Sequence, residues 1–290
     1  MDTQQKRMQG QPQDQMQREL EERMLHERME NIQQKLLVLS GKGGVGKSTV
    51  AANLAVSLAL AGKTVGLLDV DVHGPSIPKL LGLEGSQIQV AGNEMVPVRM
   101  NDHLSVMSVG FLLQKNTDAV IWRGPRKFHA IRQFLKDVAW GSLDYLVVDS
   151  PPGTGDEPMS VAQLVGSPAA AVIVTTPQDV AISDVRRCVS FCNTLSLPMV
   201  GILENMSGFV CPKCGERLDV FKAGGGKILA EEMGVPFLGQ IPIEPGIVTS
   251  GDAGQPFIDK QTQSPAGDAF AEVVRLILDR PLQTAVAAEA

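Results

Sequence analysis

The apolar run Leu36-Leu37-Val38-Leu39 leads into a glycine-rich stretch, GKGGVGKST at Gly41 to Thr49, which opens a segment of helical length and composition, STVAANLAVSLAL at Ser48 to Leu60. This order constrains the chain more than any other feature, because strand, loop and helix in sequence place a phosphate on a helix N-terminus. The stretch fits G-x-x-x-x-G-K-[ST] through Gly41, Gly46, Lys47 and Ser48. Gly43, Gly44, Val45 and Thr49 complete a loop whose backbone N–H groups turn inward on phosphate oxygens. Lys47 then reaches the β- and γ-phosphates of a nucleotide, and the Ser48 hydroxyl ligates Mg²⁺. A second lysine, Lys42, is not required by the pattern.

From Leu36 onward strands and helices alternate. Val65 to Leu68, Leu104 to Val109, Tyr145 to Val148, Ala171 to Val174, Met199 to Leu203 and Phe237-Leu238 have the composition of buried strands. Lys127 to Ala139, Val180 to Leu195 and Gly226 to Met233 lie between them as helical stretches. Such alternation predicts an α/β fold with a doubly wound, mostly parallel sheet and ligands at the carboxyl ends of its strands. A small hairpin is expected around Ala91 to Glu94. A chain of 290 residues, 43% hydrophobic with 29 glycines, is most simply one such domain, taken as 36–280. Residues 1–35 form a polar extension in which Met16, Leu20 and Met24 recur every four residues, which suits a short solvated helix or, as the preferred expectation, a flexible tail. Residues 281–290 are expected to be a frayed end.

The net charge of −6, without clustered Lys and Arg, argues against a nucleic-acid partner. The N-terminus has no apolar core of a signal peptide, and no apolar run approaches the roughly 18 residues of a membrane span. A cytoplasmic protein with no membrane partner is expected. Four cysteines are too few for a disulfide scaffold and suit thiols or ligands in a reducing compartment.

Two further strands end on acids. Leu67-Leu68-Asp69-Val70-Asp71 carries two carboxylates, of which one can orient a water for in-line attack and the other can support a Mg²⁺ shell. Leu146-Val147-Val148-Asp149 stops on an acid suited to hold Mg²⁺ directly or through water, and Ser150 to Asp156, rich in Pro and Gly, suits a loop that changes shape with the γ-phosphate. Glu204-Asn205 follows another strand, where the asparagine either caps a turn or presents its paired donor and acceptor to a ligand.

Cys211-Pro212-Lys213-Cys214-Gly215 is the second strong signal. Two thiolates separated by two residues can face one metal, and Gly215 permits the positive φ that folds the chain back beneath it. Two ligands complete neither a tetrahedral zinc site nor a cubane cluster, so a two-fold dimer would have to bring the other pair. A redox-active pair uses the same spacing, but needs its first cysteine at a helix N-terminus, and the flanks here suit a loop, placed at 206–218, or a small hairpin. Cys188 and Cys192 share one helical face and suit core packing.

In order, GKGGVGKST at 41–49, DVDVHGPSIP at 69–78, WRGP at 122–125, DSPPGTGD at 149–156 and ENMSGFVCPKCG at 204–215 resemble the signatures of the Mrp/ApbC iron–sulfur cluster carriers. That family lies in the deviant Walker A (SIMIBI) branch of P-loop NTPases with ParA and MinD. The resemblance covers roughly residues 36 to 280. It implies a homodimeric ATPase in which Lys42 crosses to the partner's nucleotide, Asp71 positions the attacking water, and Asn205 reads the adenine edge. It further implies a labile [4Fe–4S] cluster held between the Cys211/Cys214 pairs of two copies, received from cluster donors and passed to apo iron–sulfur proteins. Two other functions use parts of the same pattern: a ParA- or MinD-like positioning ATPase, and a zinc-stapled dimeric adaptor. Against the first, the segment from Asp268 to Arg280 mixes Arg275 and Arg280 with Asp268, Glu272 and Asp279 and lacks the character of a basic membrane-binding helix.

Overall fold

The computed structural model describes residues 3–72, 74–112, 124–211, 213–260 and 263–280, so that His73, Pro212, the Trp122-Arg123 half of WRGP and the 281–290 end lie outside the described residues. The chain opens with α1 (Thr3–Glu30), followed by β1 (Ile32–Leu39) and α2 (Lys47–Leu60) on either side of the glycine-rich loop. Then come β2 (Val65–Asp69), the single turn α3 (Ile77–Leu80), the hairpin β3 (Gln89–Ala91) and β4 (Glu94–Val96), β5 (Val98–Arg99), β6 (Leu104–Ser108), α4 (Gly124–Lys136) and β7 (Leu143–Asp149). The remainder is α5 (Asp156–Val165), β8 (Ala169–Thr175), α6 (Asp179–Thr194), β9 (Met199–Val210), β10 (Arg217–Leu218), α7 (Gly225–Met233), β11 (Phe237–Ile243), α8 (Pro245–Asp252), α9 (Phe257–Lys260) and α10 (Pro265–Leu278).

The central sheet runs β10-β9-β8-β1-β7-β2-β6-β5, with β11 also on β9. All its pairings are parallel except those of β5 and β10, which are antiparallel. Because side chains alternate across a strand, each buried strand feeds two cores. Leu37 and Leu39 of β1 face the core under α1, α4, α5 and α6, whereas Leu36 and Val38 face the core under α2 and α10. Leu146 and Val148 of β7 join the first core, and Tyr145 and Val147 the second. The parallel register brings the acidic strand ends level, with Val38 and Asp69 both opposite Asp149 and Thr175 opposite Glu204.

Three elements differ from the expectations. β1 begins at Ile32 rather than Leu36, because Lys35 is accommodated inside the protein: its Nζ donates to the Ser167 carbonyl at 3.0 Å, and burial lowers its pKa to about 8. The N-terminal segment is helical over 28 residues. Its last turns are tied down by the buried Leu25 and Met29, by an Arg28–Glu94 ion pair, and by Arg28 Nε donating to the Lys136 carbonyl at 3.3 Å. Met16, Leu20 and Met24 remain exposed on it. The loop expected at 206–218 is partly strand, since β9 continues to Val210 and pairs with β10 through Val210–Arg217 and Phe209–Leu218.

Candidate functional site

The glycine-rich loop closes between β1 and α2 at the carboxyl edge of the sheet. Gly44 and Gly46 have φ of 79° and 81°, the left-handed region where a Cβ is costly, and a Cβ on Gly46 would also lie 2.3 Å from Asn205 Nδ2. No side chain caps α2, so its first N–H groups face a cavity of about 220 Å³ lined by Lys42, Gly43, Gly44, Lys47, Ser48 and Asp71 among others. An uncapped helix N-terminus with positive partial charge, at the rim of a cleft, is suited to phosphate. Lys42 is half-buried at that rim, its carbonyl accepting from Ser40 Oγ at 2.9 Å. Its ammonium makes no ion pair with a described residue.

Lys47 instead points at the acids. Its Nζ lies 2.5 Å from Asp149 Oδ1 and 3.5 Å from Asp71 Oδ2. Asp149 is fully buried, and burial pushes its carboxyl up against the lowering effect of Lys47 and of the neighbouring Ser48 hydroxyl. Its Oδ2 is buried without a hydrogen-bond partner among the described residues. An orphaned carboxylate oxygen beside a serine hydroxyl and a second acid is a donor set that fits a hard divalent cation such as Mg²⁺.

Asp69, the other acid of the β2 end, has a different environment. Ser108 Oγ donates to its Oδ2 at 2.8 Å and the Asp71 N–H to its Oδ1 at 3.1 Å, while burial and the charge of Asp149 hold its carboxyl well above the usual range. With the folded pKa raised, the favoured protonated form is fully present at low pH and is lost as pH rises through that value. Asp69→Asn keeps the bond from the Asp71 N–H at Oδ1, reverses the other so that Nδ2 donates to Ser108 Oγ, and removes the buried charge. It is expected to stabilise the nucleotide-free protein at neutral pH, with the gain shrinking as pH falls, measured as melting temperature against pH.

Beyond the loop a second cavity, of about 420 Å³, shares Gly46, Thr49 and Ser76 with the first and extends past Asn205, Phe221, Glu244 and Val248. A nucleotide with its phosphates on the loop has room here for its nucleoside. Asn205 Nδ2 donates to the Val45 carbonyl at 2.9 Å, so this side chain stands on the loop itself. Phe221 and the α8 wall were not anticipated. No spacing signal marks them, because they come to the site through the path of β9 and β11.

Cys211 and Cys214 sit at the tip of the β9–β10 hairpin, free of disulfide, the first half-buried and the second exposed. The tip is closed by Cys211 N–H donating to Glu216 O at 2.9 Å and Gly215 N–H to Cys211 O at 2.8 Å, with Gly215 at φ 75°. The N–H groups of Cys214 and Lys213 hold the Cys211 thiol below its ordinary pKa, which favours the thiolate that binds metal. Among the described residues no group of three or more His, Cys, Asp or Glu side chains could hold a metal ion. Cys188 and Cys192 are buried in the core face of α6.

At the base of the hairpin lies a residue that sequence reasoning passed over. Glu204 is fully buried, and its carboxylate accepts from Ser207 Oγ at 2.6 Å, Gly224 N–H at 2.8 Å, Gln240 Nε2 at 2.8 Å and Gly226 N–H at 2.5 Å. It ties the first hairpin leg to the α7 N-terminus and to β11.

A mostly parallel sheet with a glycine-rich loop after its central strand, a lysine among buried acids, and two contiguous cavities over that loop define a P-loop NTPase. The chain belongs to the ParA-type NUBPL iron-transfer P-loop NTPase family, whose model matches residues 31–278. It is 49% identical over 251 residues, 85% of this chain and 95% of the relative, to a cytosolic Fe-S cluster assembly factor NUBP2 homolog of Trichoplax adhaerens. Among solved structures, a nucleotide-binding protein of Archaeoglobus fulgidus in complex with ADP, with Co found by PIXE, is 40% identical. It superposes with a TM-score of 0.75 over 86% of this chain and 96% of its own. The cell division ATPase MinD of Pyrococcus furiosus, 23% identical with a TM-score of 0.62 over 85% of this chain and 99% of its own, shares the fold. The family resemblance drawn from the sequence blocks is borne out, and the family carries nucleotide binding and hydrolysis as its general activity.

Proposed function

We propose that the protein is an ATP-binding and ATP-hydrolysing homodimeric carrier that holds a labile [4Fe–4S] cluster between the Cys211/Cys214 pairs of two copies and passes it to apo iron–sulfur proteins. The observation that carries this is the cysteine pair itself: two accessible thiols on a hairpin tip, with no third ligand among the described residues. A second copy related by a two-fold axis supplies the four thiolates that such a cluster takes. The iron-transfer description of the family, and a relative named for cytosolic Fe-S cluster assembly, support the same cargo and a cytoplasmic setting. No helix among the described residues is long and apolar enough to cross a membrane.

In the nucleotide half, Lys47 and the α2 N–H groups would hold the β- and γ-phosphates, Asp71 would orient the attacking water, and Asn205 would meet the base. Ser48 and Asp149 would hold Mg²⁺, with Asp71 in its shell, and the cation would neutralise charge gathering on the phosphates. Lys47 now supplies the counter-charge of Asp149 and Asp71 and would be released toward the phosphates when Mg²⁺ takes that role.

Anaerobic reconstitution with iron and sulfide is expected to give a visible cluster chromophore with about four irons and four sulfides per dimer. Cys211→Ala and Cys214→Ala are each expected to lose most of it. Zinc in place of iron in protein purified without oxygen would select a stapled adaptor, and an unchanged chromophore in both variants would remove the Cys211/Cys214 assignment. A positioning ATPase is disfavoured by α10, where Arg275 is already paired with Glu272 and Asp279 at 2.7 Å.

A further inference from the structure

The cysteine hairpin and the nucleoside cavity share their walls. The first leg of the hairpin parts from β8 after Glu204 and stays paired with β11 as far as Phe209, and Asn205 on it stands on the Val45 carbonyl at the lip of the cavity. The second leg returns through Val220-Phe221-Lys222, and Phe221, 40% exposed, forms part of the same cavity wall. Both legs are fixed at the base. The Glu204 carboxylate accepts from Ser207 on the first leg and from the Gly224 N–H at the α7 N-terminus, and on the second leg Lys222 N–H donates to the Asp219 carbonyl at 3.1 Å and Lys222 Nζ pairs with Asp179 at 2.6 Å.

The tip, in contrast, has no pairing with β11 beyond Phe209–Ile243: past it lie the Val210–Arg217 ladder position and the tip's own two backbone bonds, and residues 213–222 are exposed throughout. Met206 at φ 57° and Gly208 at φ 74° bend the first leg between the cavity and the cysteines. A stiff base carrying a weakly held tip passes a displacement at the base outward, because the tip has few contacts to resist it.

We infer that nucleotide occupancy sets the position of Cys211 and Cys214 within a single chain, with Phe221 as the residue that transmits it. A nucleoside in the cavity covers the Phe221 ring, and burying or stacking an aromatic face favours one placement of the 219–224 segment. Two residues before it, Asp219 leads directly into β10 and so to the cysteine turn. The route needs no second copy of the chain and is separate from the trans contact proposed for Lys42. It regulates the proposed cluster site, and rests on that function only for its purpose.

The test uses the full-length, reduced, metal-free protein. Cys211 and Cys214 are alkylated with N-ethylmaleimide, and the rate at each is read by peptide mass mapping with and without saturating Mg-ADP, the buried Cys188 and Cys192 serving as internal controls. Saturation is verified by a separate ADP titration for every variant. ADP is expected to change the rate at Cys211 or Cys214 by about fivefold, the low end of ordinary coupling between sites. Phe221→Ala is expected to lose that response, Phe221→Tyr to keep it, and Lys42→Ala to keep it. Unchanged wild-type rates with the site filled overturn the inference, as does a full response in Phe221→Ala or a lost one in Lys42→Ala. Because no metal is present, failure of cluster reconstitution would remove the proposed cargo and leave this coupling standing.

Discussion

Lys47→Ala is expected to bring ATP hydrolysis down to the protein-free background and to abolish detectable nucleotide binding, while destabilising the empty protein at neutral pH. The two effects have one cause. Lys47 is nearly fully buried and pairs with the fully buried Asp149 at 2.5 Å. Removing one member of a buried pair leaves an uncompensated charge, which costs about 3–5 kcal/mol. Asp149 is already pushed up by burial, and without Lys47 its folded pKa rises further. The cost of the unpaired carboxylate is therefore full above that pKa and fades as pH falls through it, because the protonated acid needs no counter-ion. Thermal melts of the variant should approach wild type as pH is lowered. Hydrolysis should not recover over the same range, since the phosphates lose their cation at every pH. Parallel melting curves at all pH values, or hydrolysis above background, would show that Lys47 is not the counter-ion of this site.

The legibility of this site in the sequence follows from how its parts are built. Backbone-driven features were readable: the glycine-rich loop needs glycines where φ is positive, and Asp149 ends an apolar strand whose register with β1 and β2 fixes its height in the sheet. The cysteine pair was readable because two thiols and a turn glycine lie within five residues, whereas the β9–β10 pairing that carries it was expected as a loop. What escaped notice depends on tertiary partners. Gln33, Gln34 and Lys35 look like the end of a polar tail, yet they lie in a strand because the Ser167 carbonyl receives the buried ammonium. Glu204 resembles an ordinary loop acid, and only α7, β11 and Ser207 together give its carboxylate four donors. α5 starts at Asp156 on the end of a Pro- and Gly-rich segment whose composition hides the helix that follows.

Lys42 supplies the sharpest test of the proposed dimer, through complementation. Lys42→Ala is expected to keep ATP binding, since Lys47, the α2 N–H groups and the nucleoside cavity are untouched, but to lose about 10³-fold in hydrolysis, the lower range for a cation delivered in trans. Lys47→Ala is inactive for the opposite reason, having an intact Lys42 and no phosphate site of its own. When the two are mixed and allowed to exchange, half of the dimers are mixed, and each mixed dimer has one composite site: a Lys47 from one copy facing a Lys42 from the other. Activity should therefore return to about a quarter of wild type per chain, as statistical pairing in a two-fold dimer requires. If Lys42 acts on the nucleotide of its own chain, no site in any mixed dimer holds both lysines, and the mixture stays as inactive as its parts. The result separates a cis from a trans lysine without a structure of the dimer. A trans result would mean that hydrolysis can proceed only when two copies are apposed, the same apposition that a cluster shared between two cysteine pairs requires.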